Sequence, residues 1–185
     1  MMTRDRAIEL LEKYIKNERM RNHCYASEAV LRALAERLGR DANQWGLAGL
    51  LHDIDVEITD ADPKRHALEA VPILEAEGMD PDSIEAIKLH NEEATDIPRS
   101  KEFHHALAAG ETITGLIVAT TLVYPDKKLA SVKAKSVVKR MKAKAFAASV
   151  NRNTIRECEK IGIPLPEFAE LSIKAMREIS DRLGL

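Results

Sequence analysis

The stretch Leu47–Asp55, with the sequence LAGLLHDID, sets His52 and Asp53 side by side at the end of an apolar segment. An ionised carboxylate that leaves water without a partner costs several kcal/mol or shifts its pKa until it becomes neutral. A His–Asp pair in this setting indicates a compensating cation, and a metal ion is the simplest candidate.

All six histidines of the chain fall between positions 23 and 105. Divalent metals such as Mn, Fe, Co, Ni and Zn accept mixed imidazole and carboxylate ligands. Three or four protein ligands leave coordination positions for water and substrate. A set of this kind is predicted from three different helices: His23, His52, Asp53 and Glu111.

The composition predicts that helices position these side chains. The 185 residues are 45% hydrophobic but only 4% aromatic, and Ala, Leu, Glu, Lys and Arg are abundant. This composition favours helices packed through aliphatic side chains over strands. The length fits one domain, residues 1–185, whose core needs no disulfide or structural zinc. The sequence therefore predicts an all-α fold.

Three predicted helices carry the candidate ligands. The first has His23 on or beside its buried stripe. The second starts at a capping box, Asp41–Gln44, and ends at His52–Asp53. It is apolar nearly all round, so we expect it to be the central helix. The third starts at a cap formed by Ser100 and places Glu111 within a core-facing stripe.

The other predicted helices surround this core. The pair Asp62–Pro63 predicts a helix that closes at Gly78 and is kinked at Pro72. A short helix over residues 83–91 should turn His90 inward. Further helices are predicted at 3–16, 129–148, 151–161 and 165–183.

The ordered histidines and carboxylates resemble those of a known family. His23, the doublet His52–Asp53 within LLHDID, and Glu111 within AAGETITG are similar to the H...HD...D signature of HD-superfamily (HD domain, HDIG-like) metal-dependent phosphohydrolases. The similarity extends through His66 and His90, which match the extra histidines of members that can hold a second metal. An isolated His23 would be interpreted as a core histidine, and the ordered set favours a metal ligand instead.

The resemblance implies an HD-domain helical bundle with a C-terminal helical extension. It assigns residues 18–124 to an HD-like metal-site core and residues 125–185 to an extension packed on that core. The extension contains no histidine. We therefore expect it to pack against the core or cover the substrate rather than to hold metal.

The resemblance also implies a chemistry. One or two divalent ions (Mn, Fe, Co, Ni, Zn or Mg) would polarise a phosphoryl oxygen of a nucleotide or other small phosphorylated substrate. They would also lower the pKa of a bound water toward about 7 to 9, so that no covalent nucleophile is needed. The catalytic residues implied are Asp53, His66 and His90. The two histidines either complete a second metal site, with Asp53 as the bridge, or donate hydrogen bonds to the substrate phosphate.

Glu111 departs from the family pattern, which has Asp at this position. One extra methylene moves a carboxylate by roughly 1.3 to 1.5 Å, which is large against metal–ligand tolerances of about 0.2 Å. Backbone flexibility at Gly110 and Gly115 could absorb the change. The alternative is a non-catalytic HD-fold module with a degenerate metal site, which binds a nucleotide or a regulatory partner without hydrolysing it.

Charge and cysteine content bear on partners and compartment. Net charge is −2, yet residues 127–156 contain ten Lys or Arg and no Asp or Glu. A solvated, internally compensated face is the favoured interpretation, and nucleic-acid binding is disfavoured because aromatic stacking partners are scarce. Two unpatterned cysteines and the absence of a long apolar run favour a soluble cytoplasmic protein with no membrane segment. No oligomeric state is favoured.

Several other polar residues have a second interpretation. Lys64, Arg65 and the lysines at 127, 128, 133 and 135 could meet phosphate, although solvation is expected for at least part of this set. Asp55, Glu57 and Asp60 could hydrogen-bond ligand imidazoles, but they are interpreted as ordinary loop residues. His104 is placed at the pocket rim or, preferably, at the surface, and His105 at the surface.

Overall fold

The computed structural model describes residues 2–185, and Met1 lies outside the described residues. The described chain is all helical and contains no strand, which confirms the predicted all-α fold. No helix among residues 2–185 combines the length and the apolar character that crossing a bilayer requires. The α-helices are α1 (Arg4–Tyr14), α2 (Glu18–Leu38), α3 (Ala42–Leu51), α4 (Ala70–Ala76), α5 (Pro81–His90), α6 (Glu102–Leu122), α7 (Ala134–Arg140), α8 (Arg152–Ile155), α9 (Leu165–Arg177) and α10 (Ser180–Leu183).

Helix α3 is the central helix, as its apolar sequence predicts. Every residue from Trp45 to Leu51 is buried, and the helix packs against α1, α2, α5 and α6. The Asp41 carboxylate accepts hydrogen bonds from the amides of Asn43 and Gln44 at 2.8 and 3.0 Å, so it caps the helix. The reciprocal half of the predicted capping box is absent, because the Gln44 side chain donates to Asp80 at 2.8 Å instead.

The helix predicted from Asp62–Pro63 to Gly78 is wrong over its first half. Residues 62–69 form a series of turns, and the regular helix starts only at Ala70. Ala67 has a positive φ of 75°, which a regular helix does not allow. Pro72 consequently lies in the first turn of α4, where its missing N–H costs nothing, so the predicted kink does not arise.

The predicted helix 129–148 is also shorter than expected. A 3₁₀ turn at Leu129–Ser131 precedes α7, which ends at Arg140, and turns follow as far as residue 150. The guanidinium of Arg152 fills the centre of these turns and donates to the carbonyls of Ala147 and Val150 at 2.5 and 2.6 Å. Carbonyls that bond to Arg152 leave the helical pattern, so the chain loops around this side chain.

Residues beyond 125 pack on the helices that precede them. Helix α9 contacts α2 and α6, and the 3₁₀ helix Arg156–Ile161 contacts α6. Phe168 of α9 is completely buried. The predicted helices 151–161 and 165–183 each exist in two parts, with a break to 3₁₀ geometry after Ile155 and a turn after α9.

A buried ion pair reinforces this packing. Arg99 donates to both carboxylate oxygens of Glu157, at 2.9 and 2.6 Å, and to the carbonyls of Leu89 and His90 at the end of α5. His105 Nδ1 lies 2.6 Å from the same carboxylate. Burial works against the charged carboxylate, but Arg99 and His105 outweigh it and lower the pKa of Glu157.

Replacing Glu157 by glutamine is expected to lower the free energy of unfolding by about 2 kcal/mol, the typical value of a hydrogen bond to a charged group. The folded-state pKa of Glu157 lies below its ordinary 4.5. Its contribution is therefore complete above pH 4.5 and is lost as the pH falls below that value. Urea unfolding of both proteins at pH 7 and pH 3.5 measures this difference.

The matched control is Glu159→Gln, because Glu159 pairs with Arg156 at the exposed surface. A surface pair of this kind contributes about 0 to 1 kcal/mol. Equal unfolding free energies for the two variants at pH 7 would contradict the buried ion pair.

Candidate metal centre

His52 and Asp53 follow directly after the last residue of α3. His52 is completely buried, and its Nδ1 donates to the carbonyl of Gly49 at 2.8 Å. Because Nδ1 carries the proton, the lone pair of a neutral ring lies on Nε2. Burial lowers the pKa of His52 to about 3, so the ring is neutral at pH 7.

His23 reaches the same point from α2. Its Nδ1 lies 2.9 Å from the hydroxyl oxygen of Thr114, whose own proton is donated to the carbonyl of Glu111 at 2.6 Å. The Thr114 oxygen therefore accepts from Nδ1 of His23, and the lone pair lies on Nε2. This nitrogen is 3.1 Å from Nε2 of His52. Two lone pairs at this distance repel each other unless a cation or a proton lies between them.

His66 and His90 form a second imidazole pair. His66 lies in the turns before α4, and its Nδ1 donates to Asp55 at 2.8 Å. His90 is the last residue of α5, and its Nδ1 donates to the carbonyl of Ile87 at 2.6 Å. The two Nε2 atoms are 3.1 Å apart. The side chain of His90 is 6% exposed, which confirms that it turns inward.

The carboxylate of Asp53 lies between the two imidazole pairs. Its Oδ2 is 3.5 Å from Nε2 of His23 and 3.4 Å from Nε2 of His52. Its Oδ1 is 3.1 Å from Nε2 of His66 and 3.4 Å from Nε2 of His90. Each carboxylate oxygen thus faces one pair, which is the arrangement a bridging ligand requires.

Glu111 reaches the first pair from α6. Its Oε2 lies 3.7 Å from Nε2 of His23, and its other oxygen accepts a hydrogen bond from the Thr112 hydroxyl. Burial raises the pKa of Glu111, because a charged carboxylate is costly there without a cation. The longer side chain therefore still delivers a carboxylate to the cluster.

The donor set fits a divalent metal. Each of the four imidazoles gives its Nδ1 proton to an oxygen and directs Nε2 inward, which is the usual arrangement of metal-ligating histidines. Two ligands about 2.1 Å from one ion and at right angles to each other are about 3 Å apart. The Nε2 separation of 3.1 Å within each pair agrees with this value. One ligand atom from each of His23, His52 and Glu111 lies within 4.8 Å of the other two. The same holds for a second group, His52, Asp53 and His90.

The HD domain family model matches residues 20–119, which is more than half of the chain and includes all six candidate ligands. The chain belongs to the HD domain family. Comparison with curated proteins and with solved structures gave no match. The resemblance inferred from the sequence is thus confirmed at the level of the family. HD domains are in general metal-dependent hydrolases that use divalent metals.

At the metal centre of this HD domain, the charged side chains are chiefly those of Asp53 and His66. Burial disfavours an ionised Asp53, but the neighbouring histidines, with protonated His66 3.1 Å from Oδ1, hold its pKa well below the ordinary range. Burial also disfavours a charged His66, yet its hydrogen bonds with Asp53 and Asp55 raise the pKa of His66 to about 10. When no metal is bound, the imidazolium of His66 lies between two carboxylates and supplies positive charge at the position of the second imidazole pair.

Two residues that support the HD site were not assigned a function from the sequence. Asp55 was interpreted as a loop residue, but it is completely buried and accepts hydrogen bonds from His66 and from the amide of Ala70. Thr114 lies three residues after Glu111 on α6, and its hydroxyl fixes the ring of His23. The spacing of Asp55 two residues after Asp53, and of Thr114 three after Glu111, was the available signal.

Other sequence predictions about the site need correction. His104 and His105, expected at the surface, are 1% and 8% exposed. His104 lies over the start of α6, which begins after Lys101 rather than at the predicted cap Ser100, and His105 binds Glu157. The basic residues proposed to meet phosphate are exposed and are absent from the lining of the cavity beside the metal centre: Lys64, Arg65, Lys127, Lys128, Lys133 and Lys135.

A cavity of about 360 Å³ opens on His23, His90 and Glu111. Its far side is formed by residues 149–154 of the C-terminal extension. A larger cavity, of about 910 Å³, lies between α2 and α9 and has no histidine in its lining. The smaller cavity is therefore the one that can hold a substrate against the candidate ligands.

Glu111→Asp is expected to weaken metal binding at least about 10-fold, the smallest loss usual when a group that supports a metal site is removed. The shorter side chain draws the carboxylate away from His23, which Glu111 reaches in the present structure. Isothermal titration with Mn²⁺ measures the affinity. A gain in affinity would contradict this prediction and would support the degenerate-site alternative.

Proposed function

We propose that this HD domain is a metal-dependent phosphohydrolase that cleaves a small phosphate ester. The observation that carries the proposal is the position of Asp53, whose two oxygens face two separate imidazole pairs. This arrangement suits two divalent ions that share one carboxylate, and two-ion sites are common in phosphate-ester hydrolysis. Family membership supports the reaction class.

The proposed ligands of the first ion are His23, His52, Asp53 and Glu111, and those of the second are Asp53, His66 and His90. A bound divalent ion supplies Lewis acidity toward a phosphoryl oxygen and lowers the pKa of a coordinated water. The chain's own residues orient the reaction: Asp55 and Thr114 fix the rings of His66 and His23 through their Nδ1 protons. When His66 is protonated and free of metal, its Nε2 proton can instead be donated to a phosphate oxygen.

The cavity keeps the phosphate close to these groups. Glu111, His23 and His90 form its inner wall, and Ser149–Asn151 form the opposite side. Such a wall limits the access of bulk water and holds the substrate near the cluster, which lowers the entropic cost of reaction. The C-terminal extension is therefore proposed to cover the substrate.

Phosphate release by the purified protein tests the function. The protein is stripped of metal and then supplied in turn with Mn²⁺, Co²⁺, Ni²⁺, Fe²⁺, Zn²⁺ or Mg²⁺. p-Nitrophenyl phosphate, sugar phosphates and nucleotides serve as substrates. We expect turnover that depends on added metal, with about two ions bound per chain by elemental analysis. Metal binding without turnover of any compound would favour the binding-module alternative, and no metal binding would overturn the proposal.

A further inference from the structure

The cavity beside the metal centre is small and polar. Its volume of about 360 Å³ is near the lower end of the range, about 300 to 1,000 Å³, that is usual for small-molecule sites. Val150 is the one large aliphatic side chain in its lining, and the remaining positions are polar apart from Gly115. A site of this size and composition suits a compact, hydrophilic ligand.

Three polar groups of the extension point to hydroxyl recognition. Ser149, Asn151 and Thr154 line the cavity, and within residues 2–185 no hydrogen bond involves the hydroxyls of Ser149 and Thr154 or the Nδ2 amide of Asn151. The Oδ1 atom of Asn151 is occupied, because it caps α8. The three free groups can donate to and accept from the hydroxyls of a ligand.

The same lining lacks the groups that hold a nucleobase. Proteins bind unpaired bases chiefly by stacking them on aromatic side chains or on arginine. The cavity is lined by no Phe, Tyr, Trp or Arg, and its two histidines, His23 and His90, are proposed metal ligands whose Nε2 atoms face the cluster. Phe146, which precedes the lining segment, packs against the guanidinium of Arg140. A purine would therefore lose its hydration without gaining a stacking partner.

The charge of the cavity lining further restricts the class of ligand that can bind. The cavity lining includes Glu92, Glu93 and Glu111 but no Lys or Arg. Arg99, which pairs with Glu92, is also held by Glu157. One phosphate can be neutralised at the metal centre, but a second or third phosphate would lie against carboxylates without a protein cation. Nucleoside diphosphates and triphosphates are disfavoured for this reason.

We propose that the substrate is a sugar or polyol monophosphate, with its phosphate at the metal centre and its hydroxyls against Ser149, Asn151 and Thr154. This inference rests on the proposed phosphohydrolase function. It concerns the part of the substrate that does not react, and the C-terminal extension supplies the groups that recognise it.

Ribose 5-phosphate and AMP provide a matched test, because they share a phosphorylated ribose and differ by the adenine base. With the metal-loaded protein and phosphate release as the readout, kcat/KM for ribose 5-phosphate is expected to exceed that for AMP at least 10-fold, and that for ATP by more. Equal or greater kcat/KM for AMP would overturn the inference while leaving the hydrolase intact. Failure to release phosphate even from p-nitrophenyl phosphate would overturn the proposed function and this inference with it.

Thr154→Val removes one hydroxyl with little change of shape. The ratio of KM for ribose 5-phosphate to KM for p-nitrophenyl phosphate is expected to rise about 10-fold, the value of one neutral hydrogen bond. The control is Ser131→Ala, whose hydroxyl bonds to Asp126 at the exposed surface away from the cavity. An unchanged KM ratio in Thr154→Val, with Ser149→Ala also unchanged, would overturn recognition by the extension.

Discussion

Asp53→Asn is expected to abolish metal-dependent phosphate release, with kcat/KM falling about 10³-fold or more, at the upper end of the loss seen when one electrostatic group of an active site is removed. The substitution keeps the size of the side chain but removes its charge and one acceptor. Asp53 is the one candidate ligand that faces both imidazole pairs. Its loss is therefore expected to lower the affinity for both ions by at least about 100-fold.

The matched control is Asp60→Asn in the loop that follows. Asp60 is exposed and has a positive φ of 50°, a conformation that asparagine also tolerates. The Asp60→Asn protein should have the same affinity for Mn²⁺ and the same kcat/KM as the unchanged protein. Isothermal titration and phosphate release measure both variants. An Asp53→Asn protein that still binds two ions and turns over substrate would remove the central observation behind the proposed function.

The central helices could be predicted because their signals are local. Asp41 precedes an apolar segment and caps it, and Gly39, after α2, adopts the left-handed conformation that ends a helix. The order of His23, His52–Asp53 and Glu111 was also readable, since these residues lie on helices whose apolar stripes face one core. Their types and order were enough to indicate the family.

The turns before α4 could not be predicted from local signals. Asp60, Ala61 and Ala67 have positive φ values although none of them is glycine, and alanine ordinarily favours a helix. Buried Asp55 accounts for part of this conformation, because it accepts from both His66 and the amide of Ala70. A contact of this kind overrides propensity and is invisible in a local pattern.

Contacts between residues that are distant in the sequence could not be predicted either. His105 binds Glu157, which is 52 positions away, and this contact buries a histidine that its local sequence places at the surface. One side of the cavity beside the metal centre likewise comes from the extension, Ser149–Asn151 and Thr154, whose turns are organised around Arg152. Tertiary hydrogen bonds to side chains decide both features, so periodicity alone could not supply them.

Gly49→Ala is expected to lower the free energy of unfolding by about 3 kcal/mol, the upper part of the usual range for an overpacked core. A Cβ atom at this position would lie 2.7 Å from the carbonyl oxygen of Ser27. That atom belongs to the backbone of α2, so the two helices must move apart. His23 lies one turn before Ser27, and His52 donates to the carbonyl of Gly49. The displacement therefore also separates the first imidazole pair.

Gly46→Ala isolates this effect within the same helix. The added Cβ would lie 2.7 Å from Cγ of Arg32, so this side chain must rotate and its hydrogen bonds to Glu28 and Asn43 are disturbed, but the nearest atoms belong to no backbone. Alanine is favoured over glycine by about 1 kcal/mol inside a helix, which offsets part of the cost of moving Arg32, so this variant should lose clearly less stability than Gly49→Ala. Both substitutions change helix propensity equally. Their difference therefore measures the cost of separating α2 from α3.

Urea unfolding and Mn²⁺ titration of the two glycine variants test the coupling between packing and the metal centre. Gly49→Ala should bind Mn²⁺ at least 10-fold more weakly, because ligands tolerate displacements of only about 0.2 Å. Gly46→Ala should bind Mn²⁺ normally. If Gly49→Ala loses stability but keeps its full affinity for Mn²⁺, the first imidazole pair does not depend on the contact between α2 and α3. If the two variants unfold alike, the close approach of α2 and α3 at Gly49 does not constrain the fold.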